Sequence, residues 1–589
     1  MIFFSRRSAA QPADLNQRSR RKGCWSVVII FVVLYVASSF LFGMMFGSMF
    51  SSTATLDKNT VYVLNMKGIV VEQGEADNPF ASALNDVPGY NKPETVGLDD
   101  LLDNIRFAKT DDRVRGILLR GGELQTGMAS AKQLRDALAD FKQSGKFVVA
   151  YAPAYSQLNY YIASVADSVF LNPVGSVDWN GLSASKMYFK RALDKLGIEM
   201  QVLKVGTFKS AVEPYILTGM SDADRRQTAQ YVNGLWQEMV QAVSESRHIS
   251  AEQLNALADR YMGLQPAQAC VESGLVDSLI YTEDIDSLLV RLTDCKDYNK
   301  ITTSELATIE RPSIKAKDRI AVLYADGEIT DDQGTGIVGT KMVKEITKIR
   351  KKDDVKAVVL RVNSPGGSAD ASEQIWHAVQ TLREKGLPVV VSMGDYAASG
   401  GYYISCGADY IYAEPTTITG SIGIFGLIPN VGQLRDKIGV DIDGLSTNRH
   451  SALAVNAQWK GLDEQERALM QQMVERGYDL FTRRCAEGRH MPQDSIKAIA
   501  EGRVWLGTRA KELGLVDELG NLDDAVNKAA ELAGLSDYDL NYYPGKKDFY
   551  TQLMESLSNT GEEEKLLMRL KQLSERPHVM MLMHKASIE

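Results

Sequence analysis

The sequence predicts an α/β protein that consists of two tandem repeats after an N-terminal membrane-spanning helix. Three observations support this prediction: a long uncharged apolar run near the start, segments that recur at a nearly constant spacing, and short β-branched runs that alternate with helical patterns. The chain has 589 residues, 44% of them hydrophobic and 24% charged. This composition is typical of a globular protein, and the length suggests several domains with sizeable cores.

The apolar run extends from Trp25 to Phe46 and contains no charged residue. At about 1.5 Å per residue, a helix of this length spans roughly 33 Å, which is enough to cross the hydrocarbon core of a bilayer. A cleaved signal peptide is the alternative, but its apolar region is usually about 7–15 residues long. We therefore expect an uncleaved anchor over residues 25–47.

The charges are unevenly distributed along the chain. Residues 1–24 contain six basic residues and one acidic residue, although the whole chain has a net charge of −9. Basic residues before a membrane span are retained in the cytoplasm, so we expect residues 1–24 to be cytoplasmic and the body to lie on the other side. The acidic body argues against nucleic acid as a partner, because nucleic-acid binding needs a basic face.

Much of the chain after the apolar run is duplicated. Segments of the first half recur in the second half at a shift close to 242 residues, apart from the first pair, whose shift is 259. Chance does not produce several matches at nearly the same shift, so we predict two copies of one fold. The matching pairs are Thr60–Gly68 with Arg319–Gly327, Asp111–Arg120 with Asp353–Arg361, Lys146–Leu171 with Pro388–Ala413, and Gly274–Asp277 with Gly514–Asp517.

The repeats are expected over residues 57–299 and 317–537, with a linker containing Ser, Thr and Pro at residues 301–316. The extra residues of the first repeat are placed in the polar stretch Gln73–Pro93, which is typical of a surface loop. Residues 538–589 form the predicted C-terminal extension. For this extension an interfacial helix or ordered arm and a solvated tail remain equal alternatives.

Within the second repeat, strands and helices are predicted to alternate. Val355–Val362 and Pro388–Met393 are β-branched runs typical of buried strands, and Ala371–Glu384 between them has helical spacing of its apolar residues. Gly400–Ala408 is predicted to begin a second helix, and Tyr410–Ala413 is predicted to be a further strand. Such alternation indicates parallel α/β units with right-handed crossovers.

Cysteine and histidine patterns give no support for a metal site. None of the five cysteines lies in a metal-ligand spacing, and no HExxH motif is present, so no metal or other cofactor is expected. Only Cys270 and Cys295 are close enough in sequence to suggest a local disulfide, and free thiols are the favoured alternative.

Two glycine-rich turns follow predicted strands of the second repeat: Asn363–Ser368 and Ala398–Tyr403. A turn that opens a helix presents free backbone N–H groups, which can hold an oxyanion. Ser399 would project from such a turn as a nucleophile. The spacing alone equally allows Ser399 to be only a helix cap.

Four ordered motifs resemble the signal peptide peptidase A family of Clp-protease-like serine peptidases. They are NSPGGS, SMGDYAASGGYYIS, Thr419–Gly426 and Gly502–Gly520. With the anchor and the duplication, the resemblance covers about residues 20–535 and points to the long tandem form of the family. It implies that each repeat has a Clp protease/crotonase-like fold.

The resemblance also implies roles for particular residues. Ser399 matches the nucleophile, and Lys209, within the motif GTFKSAVEP, matches the general base. The backbone N–H groups of Gly367 and Gly400 match the oxyanion hole. Ser421 matches the residue that orients the lysine amine.

The duplication supports a shared site independently. Shifted by 242 residues, Ser399 coincides with Gln157, which cannot act as a nucleophile, and Lys209 shifted by 241 residues coincides with His450. Each repeat has therefore lost one partner, so the site is expected where two repeats meet, within one chain or between chains.

The proposed chemistry requires an unusual lysine. A serine hydroxyl is a weak nucleophile until a base removes its proton, and an ordinary lysine, with a pKa near 10.4, is protonated at neutral pH. Burial in an apolar site lowers that pKa, as in Ser-Lys variants of the catalytic triad. Without the motif, Lys209 would be interpreted as a surface lysine.

Other residues near these motifs have simpler interpretations. Tyr160 and Tyr161 recur as Tyr402 and Tyr403, which indicates packing of equivalent helices. Asp395 is close to Ser399 in sequence and is expected to be a solvated acid in a turn.

Two other functions compete with peptidase activity. A crotonase-type acyl-CoA enzyme would use paired carboxylates in a cytoplasmic site, and a non-catalytic membrane scaffold would not need Ser399 or Lys209. The family resemblance instead implies peptide substrates, in particular cleaved signal peptides. It also implies a homo-oligomer, a tetramer, in the bacterial inner membrane, single-pass, with its body on the periplasmic side.

Overall fold

A computed structural model describes residues 55–74, 94–311 and 316–546, together with the backbone of Val579–Leu582 and Ser587–Ile588. The predicted cytoplasmic segment and anchor lie outside these residues, as does most of the predicted extension. Among the helices that are described, none is long and apolar enough to cross a membrane.

The first repeat is built on a parallel six-stranded sheet. Its strands are mostly buried on both faces, as expected for a parallel sheet covered by helices. The central strands Thr60–Asn65 and Val114–Arg120 pair in parallel, with Leu64 opposite Leu119 and a register shift between Thr60 and Val61. In spatial order the strands are Ser278–Leu279, Ser168–Leu171, Phe147–Ala152, Val114–Arg120, Thr60–Asn65 and Asn299–Thr302.

The second repeat has a sheet with the same central order. Its strands also run parallel, apart from Val504–Leu506, which is antiparallel to Ile418–Gly420. The strand Tyr410–Ala413 pairs with the strand Val389–Ala398 and with Glu518–Leu519. In spatial order the main path is Val504–Leu506, Ile418–Gly420, Val389–Ala398, Val355–Ser364, Arg319–Asp326 and Asp539–Tyr543.

Both sheets extend beyond the predicted repeat boundaries. Asn299–Thr302 pairs with Thr60–Asn65, and Asp539–Tyr543 pairs with Arg319–Asp326, so each repeat ends with a strand at the edge of its own sheet. Part of the predicted linker is the helix Thr303–Ala307. These edge strands are short and polar, which hides the β pattern in the sequence.

The helices of the two repeats also correspond. Each repeat contains a helix of 26 residues, Asp222–Arg247 or Glu464–Arg489, that ends at a left-handed histidine. In the first repeat the other α-helices are Leu98–Thr110, Met128–Lys142, Gln157–Ala163, Lys190–Leu196, Glu213–Ile216, Ala251–Asp259, Ala267–Glu272, Asp284–Thr293 and Thr303–Ala307. In the second they are Gly339–Arg350, Ala369–Glu384, Gly400–Ser405, Gly432–Ile438, Leu453–Trp459, Gln493–Ile499, Gly507–Glu512 and Leu522–Ala533.

The recurring tyrosines confirm the equivalence at the level of single contacts. Tyr160 and Tyr402 are fully buried, and each hydroxyl donates a hydrogen bond to a leucine carbonyl, Leu275 or Leu515, at 2.6 and 2.9 Å. The prediction that these tyrosines are packing residues is therefore confirmed. Cys270 and Cys295 are free thiols, as the favoured alternative predicts.

A third sheet joins the two repeats. Glu199–Lys204 of the first repeat pairs antiparallel with Phe425–Asn430 of the second, with Lys204 opposite Phe425. The order of this sheet is Ile337–Val338, Ile329–Thr330, Gly366–Ser368, Val579–Leu582, Phe425–Asn430 and Glu199–Lys204. Through this pairing, residues 206–214, which follow Glu199–Lys204 and contain Lys209, lie beside the second repeat. We call residues 206–214 the lysine segment.

Polar contacts reinforce the junction. Arg361 and Glu72 form a buried ion pair between the repeats, with 2.8 Å between Nε and the carboxylate. The carboxylate of Asp395 accepts hydrogen bonds from the backbone N–H groups of Ala129 and Ser130, at 2.7 and 3.1 Å, and from the Ser130 hydroxyl at 2.7 Å. The expectation that Asp395 is a solvated turn acid is therefore wrong: it caps a helix of the other repeat.

We expect Asp395→Ala to destabilise the protein by about 1–2 kcal/mol, because helix Met128–Lys142 has no side-chain cap of its own and would lose this one. Thermal unfolding followed by circular dichroism measures the effect. Asp441→Ala, at an exposed position, is the control and should unfold like the unmodified protein. Equal stability of the Asp395→Ala and control proteins would contradict the capping role.

Candidate active site

The centre of the site is a buried contact between a lysine of the first repeat and a serine of the second. Lys209 Nζ lies 2.9 Å from Ser399 Oγ, and only 1% and 0% of these two residues is exposed. The two predicted residues are 190 positions apart in the sequence, and they meet within one chain. The question whether the site forms within or between chains is thus answered for this pair.

Ser421 contacts the same amine through two atoms. Its Oγ and its carbonyl oxygen each lie 3.0 Å from Lys209 Nζ. The sequence motif predicted the contact with the hydroxyl, whereas the carbonyl contact depends on the backbone of Ser421, whose φ is +52°. The Ser421 N–H donates to the carbonyl of Arg503 at 2.7 Å, which holds this conformation.

The backbone of Ser399 is also in an uncommon conformation. The strand Val389–Ala398 ends directly before it, and the helix Gly400–Ser405 begins directly after it. Ser399 has φ of +57° and ψ of −116°, a sparsely populated region for a residue with a side chain. Such strain persists only where the surrounding structure enforces it, and it concentrates at functional sites. Here the Ser399 N–H donates to the carbonyl of Gly420 at 2.8 Å.

The lysine segment is held by contacts with both repeats. It follows the strand Glu199–Lys204, and the N–H of Phe208 donates to the carbonyl of Glu501 at 2.9 Å. The amide of Gln227, on the long helix of the first repeat, donates to the carbonyl of Phe208 at 3.0 Å. These contacts fix the backbone on which Lys209 stands.

Two glycines allow the lysine to pass between backbone segments. A Cβ at Gly502 would lie 2.6 Å from Lys209 Cβ, and a Cβ at Gly423 would lie 3.4 Å from Lys209 Cδ. Gly502 also has φ of +77°, which favours glycine. Sequence reasoning missed this role of Gly502, although it begins a motif that carried the family resemblance.

The buried environment of Lys209 lowers the pKa of its amine. Burial lowers the pKa of Lys209 to about 7, because an ammonium group loses hydration that neutral neighbours do not replace. Its hydrogen-bond partners in the described structure are neutral oxygen atoms of Ser399 and Ser421. A substantial fraction of the amine is therefore unprotonated at neutral pH, where it can accept a proton.

The two glycine-rich turns lie against each other. A Cβ at Gly400 would lie 3.2 Å from the Cα of Gly366, and a Cβ at Gly367 would lie 1.9 Å from the carbonyl oxygen of Ile329. Larger residues would separate these backbones. The first residue of the strand Gly366–Ser368 therefore borders the residue that follows Ser399, as an oxyanion hole made from both glycine-rich segments requires.

The corresponding position in the first repeat is closed. Gln157 Oε1 accepts hydrogen bonds from the N–H groups of Asn180 and Gly181 at 2.8 and 2.9 Å, and its Nε2 donates to the carbonyl of Gly181 at 3.0 Å. The side chain of Gln157, at the position equivalent to Ser399, is therefore bound to the backbone of Asn180 and Gly181. Within the described ranges, no group of His, Cys, Asp and Glu side chains is arranged to hold a metal ion.

Family models match both repeats. The model of peptidase family S49 matches residues 140–295 and 381–536, and the Clp protease model matches residues 315–417. The S49 model thus matches each repeat once, in agreement with the duplicated sheets.

Relatives match over most of the chain. A protein called Protease 4 from Salmonella typhi is 38% identical over 514 residues, which cover 85% of this chain and 82% of that protein. Protease 4 from Haemophilus influenzae is 33% identical over 578 residues, 93% of each chain. The chloroplastic serine protease SPPA of Arabidopsis thaliana is 28% identical over 452 residues, 75% of this chain and 66% of that protein. The chain therefore belongs to peptidase family S49, the signal peptide peptidase A family, and is a serine protease.

Proposed function

We propose that this protein is a membrane-anchored endopeptidase that hydrolyses peptide bonds, in particular those of cleaved signal peptides, with Ser399 as nucleophile and Lys209 as general base. The observation that carries the proposal is the buried contact of 2.9 Å between Lys209 Nζ and Ser399 Oγ. This distance is within the range in which a base can take the proton of a nucleophile.

The hydrogen bonds of Lys209 explain how the amine is oriented. A neutral amine has two N–H bonds and one lone pair. The two oxygen atoms of Ser421, both at 3.0 Å, accept the two N–H bonds. The lone pair then faces Ser399 Oγ, which donates its proton. Ser421 acts in this proposal as a positioning residue.

The reaction then proceeds through an acyl-enzyme. Ser399 Oγ attacks the carbonyl carbon of the substrate while Lys209 takes the hydroxyl proton. The N–H groups of Gly367 and Gly400 stabilise the resulting oxyanion, a contribution of about 10²–10³-fold per donor in other hydrolases. Lys209 returns the proton to the leaving amine. In the second half it takes a proton from a water molecule that attacks the ester carbonyl, and it returns that proton to Ser399 Oγ as the acid product leaves.

A probe that phosphonylates the active-site serine, with release of fluoride, tests this assignment directly. A fluorophosphonate should label the protein at Ser399, because only a serine next to a base becomes a strong nucleophile. Ser399→Ala should abolish labelling. The matched control is Ser405→Ala, which removes the hydroxyl of another buried serine, in the helix that follows Ser399. Labelling that persists in the Ser399→Ala protein would assign the nucleophile elsewhere.

The anchor and the assembly follow from the sequence and the family resemblance. The uncharged run at residues 25–47 would hold the protein in the bacterial inner membrane, with residues 1–24 in the cytoplasm and the catalytic body in the periplasm. The tandem members of the family imply a homotetramer. Peptides that remain in or near the membrane would then be accessible to the site.

Removing residues 1–50 should give a soluble oligomer that keeps its peptidase activity. The polar stretch Ser51–Thr60 separates the anchor from all catalytic motifs, so the site does not depend on the apolar run. Light scattering measures the oligomer, and hydrolysis of a soluble peptide ester measures activity. An assembled but inactive truncated protein would show that the anchor takes part in catalysis.

A further inference from the structure

The long helix Asp222–Arg247 of the first repeat packs against the strand Val504–Leu506 of the second. One face of the helix makes this contact, and Gln227, Tyr231 and Leu235 follow each other on it at intervals of four residues. Tyr231 and Leu235 belong to an apolar cluster with the strand, whereas Gln227 carries an amide and is only 4% exposed. A buried amide needs hydrogen-bond partners, because an unpaired polar group in a core is costly.

The amide of Gln227 binds the backbone on both sides of the catalytic lysine. Its Nε2 donates to the carbonyl of Phe208 and to Ser210 Oγ, both at 3.0 Å. These are the residues directly before and after Lys209. Its Oε1 accepts a hydrogen bond from the Val504 N–H at 3.4 Å. The amide therefore connects the lysine segment with a strand of the second repeat.

That strand also supports the nucleophile. Val504 is opposite Gly420 in an antiparallel pair of strands. The carbonyl of Gly420 accepts a hydrogen bond from the N–H of Ser399 at 2.8 Å. Through short paths, one side chain therefore reaches both the backbone of the proposed base and the backbone of the proposed nucleophile.

A buried ion pair fixes the orientation of the amide. Asp224, one turn before Gln227 on the same helix, is 0% exposed, and its two carboxylate oxygens bind Lys186 Nζ at 2.6 and 2.7 Å. Asp224 Oδ1 also accepts a hydrogen bond from Gln227 Nε2 at 3.2 Å. A rotated amide would place Oε1 against the oxygen atoms of Asp224 and Phe208, which are acceptors as well. The ion pair therefore keeps Nε2 directed at the lysine segment and Oε1 directed at Val504.

The charged side chains around the lysine segment have contacts of their own. Glu213 accepts hydrogen bonds from the N–H and the hydroxyl of Ser221, and the guanidinium of Arg503 donates to Gln230. Arg226 and Glu501 are exposed. Burial is the cause that lowers the pKa of Lys209. The charge of this amine therefore depends on how tightly the lysine segment is held against the second repeat.

We propose that Gln227, oriented by the ion pair of Lys186 and Asp224, is a positioning residue that holds the general base against the nucleophile and keeps water from the amine. This inference deepens the proposed function and rests on it for the roles of Lys209 and Ser399. Gln227 acts through the backbone on both sides of Lys209. Without its hydrogen bonds the lysine segment would loosen, the amine would regain hydration, and its pKa would rise towards about 10.4.

Gln227→Met tests the proposal kinetically, because methionine has a similar length and forms none of the four hydrogen bonds of the amide. For a peptide ester at neutral pH, kcat should fall about 100-fold, the effect of a misplacement of about 1 Å, with KM unchanged. The rise of the pH–rate profile should move up by at least about one pH unit. Gln241→Met, at an exposed position of the same helix, is the matched control and should behave like the unmodified protein.

Two kinetic results would overturn the proposal. One is an unchanged kcat with an unchanged pH–rate profile in the Gln227→Met protein. The other is activity that falls only in proportion to the folded fraction, as measured by thermal unfolding, with the profile unmoved, because Gln227 would then have a structural role alone. Ser210→Ala is a milder variant that removes one acceptor, and it should lower kcat about threefold and move the profile in the same direction.

The charge of Lys209 can also be followed without catalysis. In protein labelled with ¹³C at the lysine ε carbon, the resonance that is missing from the Lys209→Met protein reports the titration of this amine. Its midpoint should be about 7 in the unmodified protein and at least about one pH unit higher in the Gln227→Met protein. Equal midpoints would overturn the positioning role. A raised midpoint together with an unmodified protein that lacks peptidase activity would support the positioning role and refute the proposed function.

Discussion

Ser399→Ala should lower kcat/KM for a peptide ester by about 10⁴-fold or more, the range found when a nucleophile is removed from a serine hydrolase. The hydroxyl is the only group that the substitution removes. The backbone N–H and carbonyl of residue 399 can still form the hydrogen bonds that hold the turn. Folding and oligomer size should therefore be unchanged. Steady-state hydrolysis together with thermal unfolding measures both expectations.

The control for this variant is Ser405→Ala, which should keep most of the activity. Ser405 is buried, and its hydroxyl donates to the carbonyl of Gly401 at 2.7 Å and does not contact Lys209. Full activity of the Ser399→Ala enzyme on a peptide ester would remove Ser399 from the mechanism.

Replacing Lys209 should have an effect of similar size and should reveal the role of its charge. Lys209→Met removes the base, and Lys209→Arg keeps a group that stays protonated, so both variants should be inactive at every pH near neutrality. In the unmodified enzyme the activity should rise with pH through about 7, because Lys209 must lose its proton before it can accept one from Ser399. A pH–rate profile measures this rise. An active Lys209→Arg enzyme with an unchanged profile would require a different base.

The lowered pKa also predicts a pH-dependent difference in stability. The folded state binds this proton less tightly than the unfolded state, whose lysine pKa is near 10.4. Lys209 therefore destabilises the fold fully below pH 7, and the penalty fades as pH rises from the folded pKa to the unfolded one. Lys209→Met, which is uncharged and of similar length, should be at least as stable as the unmodified protein at pH 7.

Comparison of the two proteins across pH separates this effect from other titrating groups. The difference between their free energies of unfolding should shrink as pH approaches 10. A difference that stays constant from pH 6 to pH 10 would contradict a neutral lysine in the folded protein.

The contact between Ser399 and Lys209 could be predicted from the sequence because the signals for both residues are local. Ser399 lies in a glycine turn between a predicted strand and a predicted helix, and Lys209 lies in a short motif that the family resemblance identified. The duplication added independent information, since Gln157 and His450 occupy the equivalent positions. The structure brings Ser399 and Lys209 to 2.9 Å.

The supporting residues could not be predicted in this way. Asp395 was interpreted as a solvated acid, yet it caps a helix that is about 266 residues away in sequence. Gly502 leaves space for Lys209, and the side-chain amide of Gln227 donates to the carbonyl of Phe208. Such contacts depend on where two distant segments cross. Neither the hydrophobic periodicity nor the composition of a short stretch shows where two distant segments meet.

The sequence by itself determined the class of fold, the duplication and the residues with chemical roles, because hydrophobic period, glycine turns and motif order are properties of short stretches. Only the tertiary structure decided that Ser399 and Lys209 meet within one chain and that Lys209 is buried, which lowers its pKa. It also decided that the strand Val579–Leu582 lies between the strands Gly366–Ser368 and Phe425–Asn430. The physical reason is that strand pairing and desolvation arise from contacts between residues far apart in the chain, and their energies depend on packing rather than on local sequence.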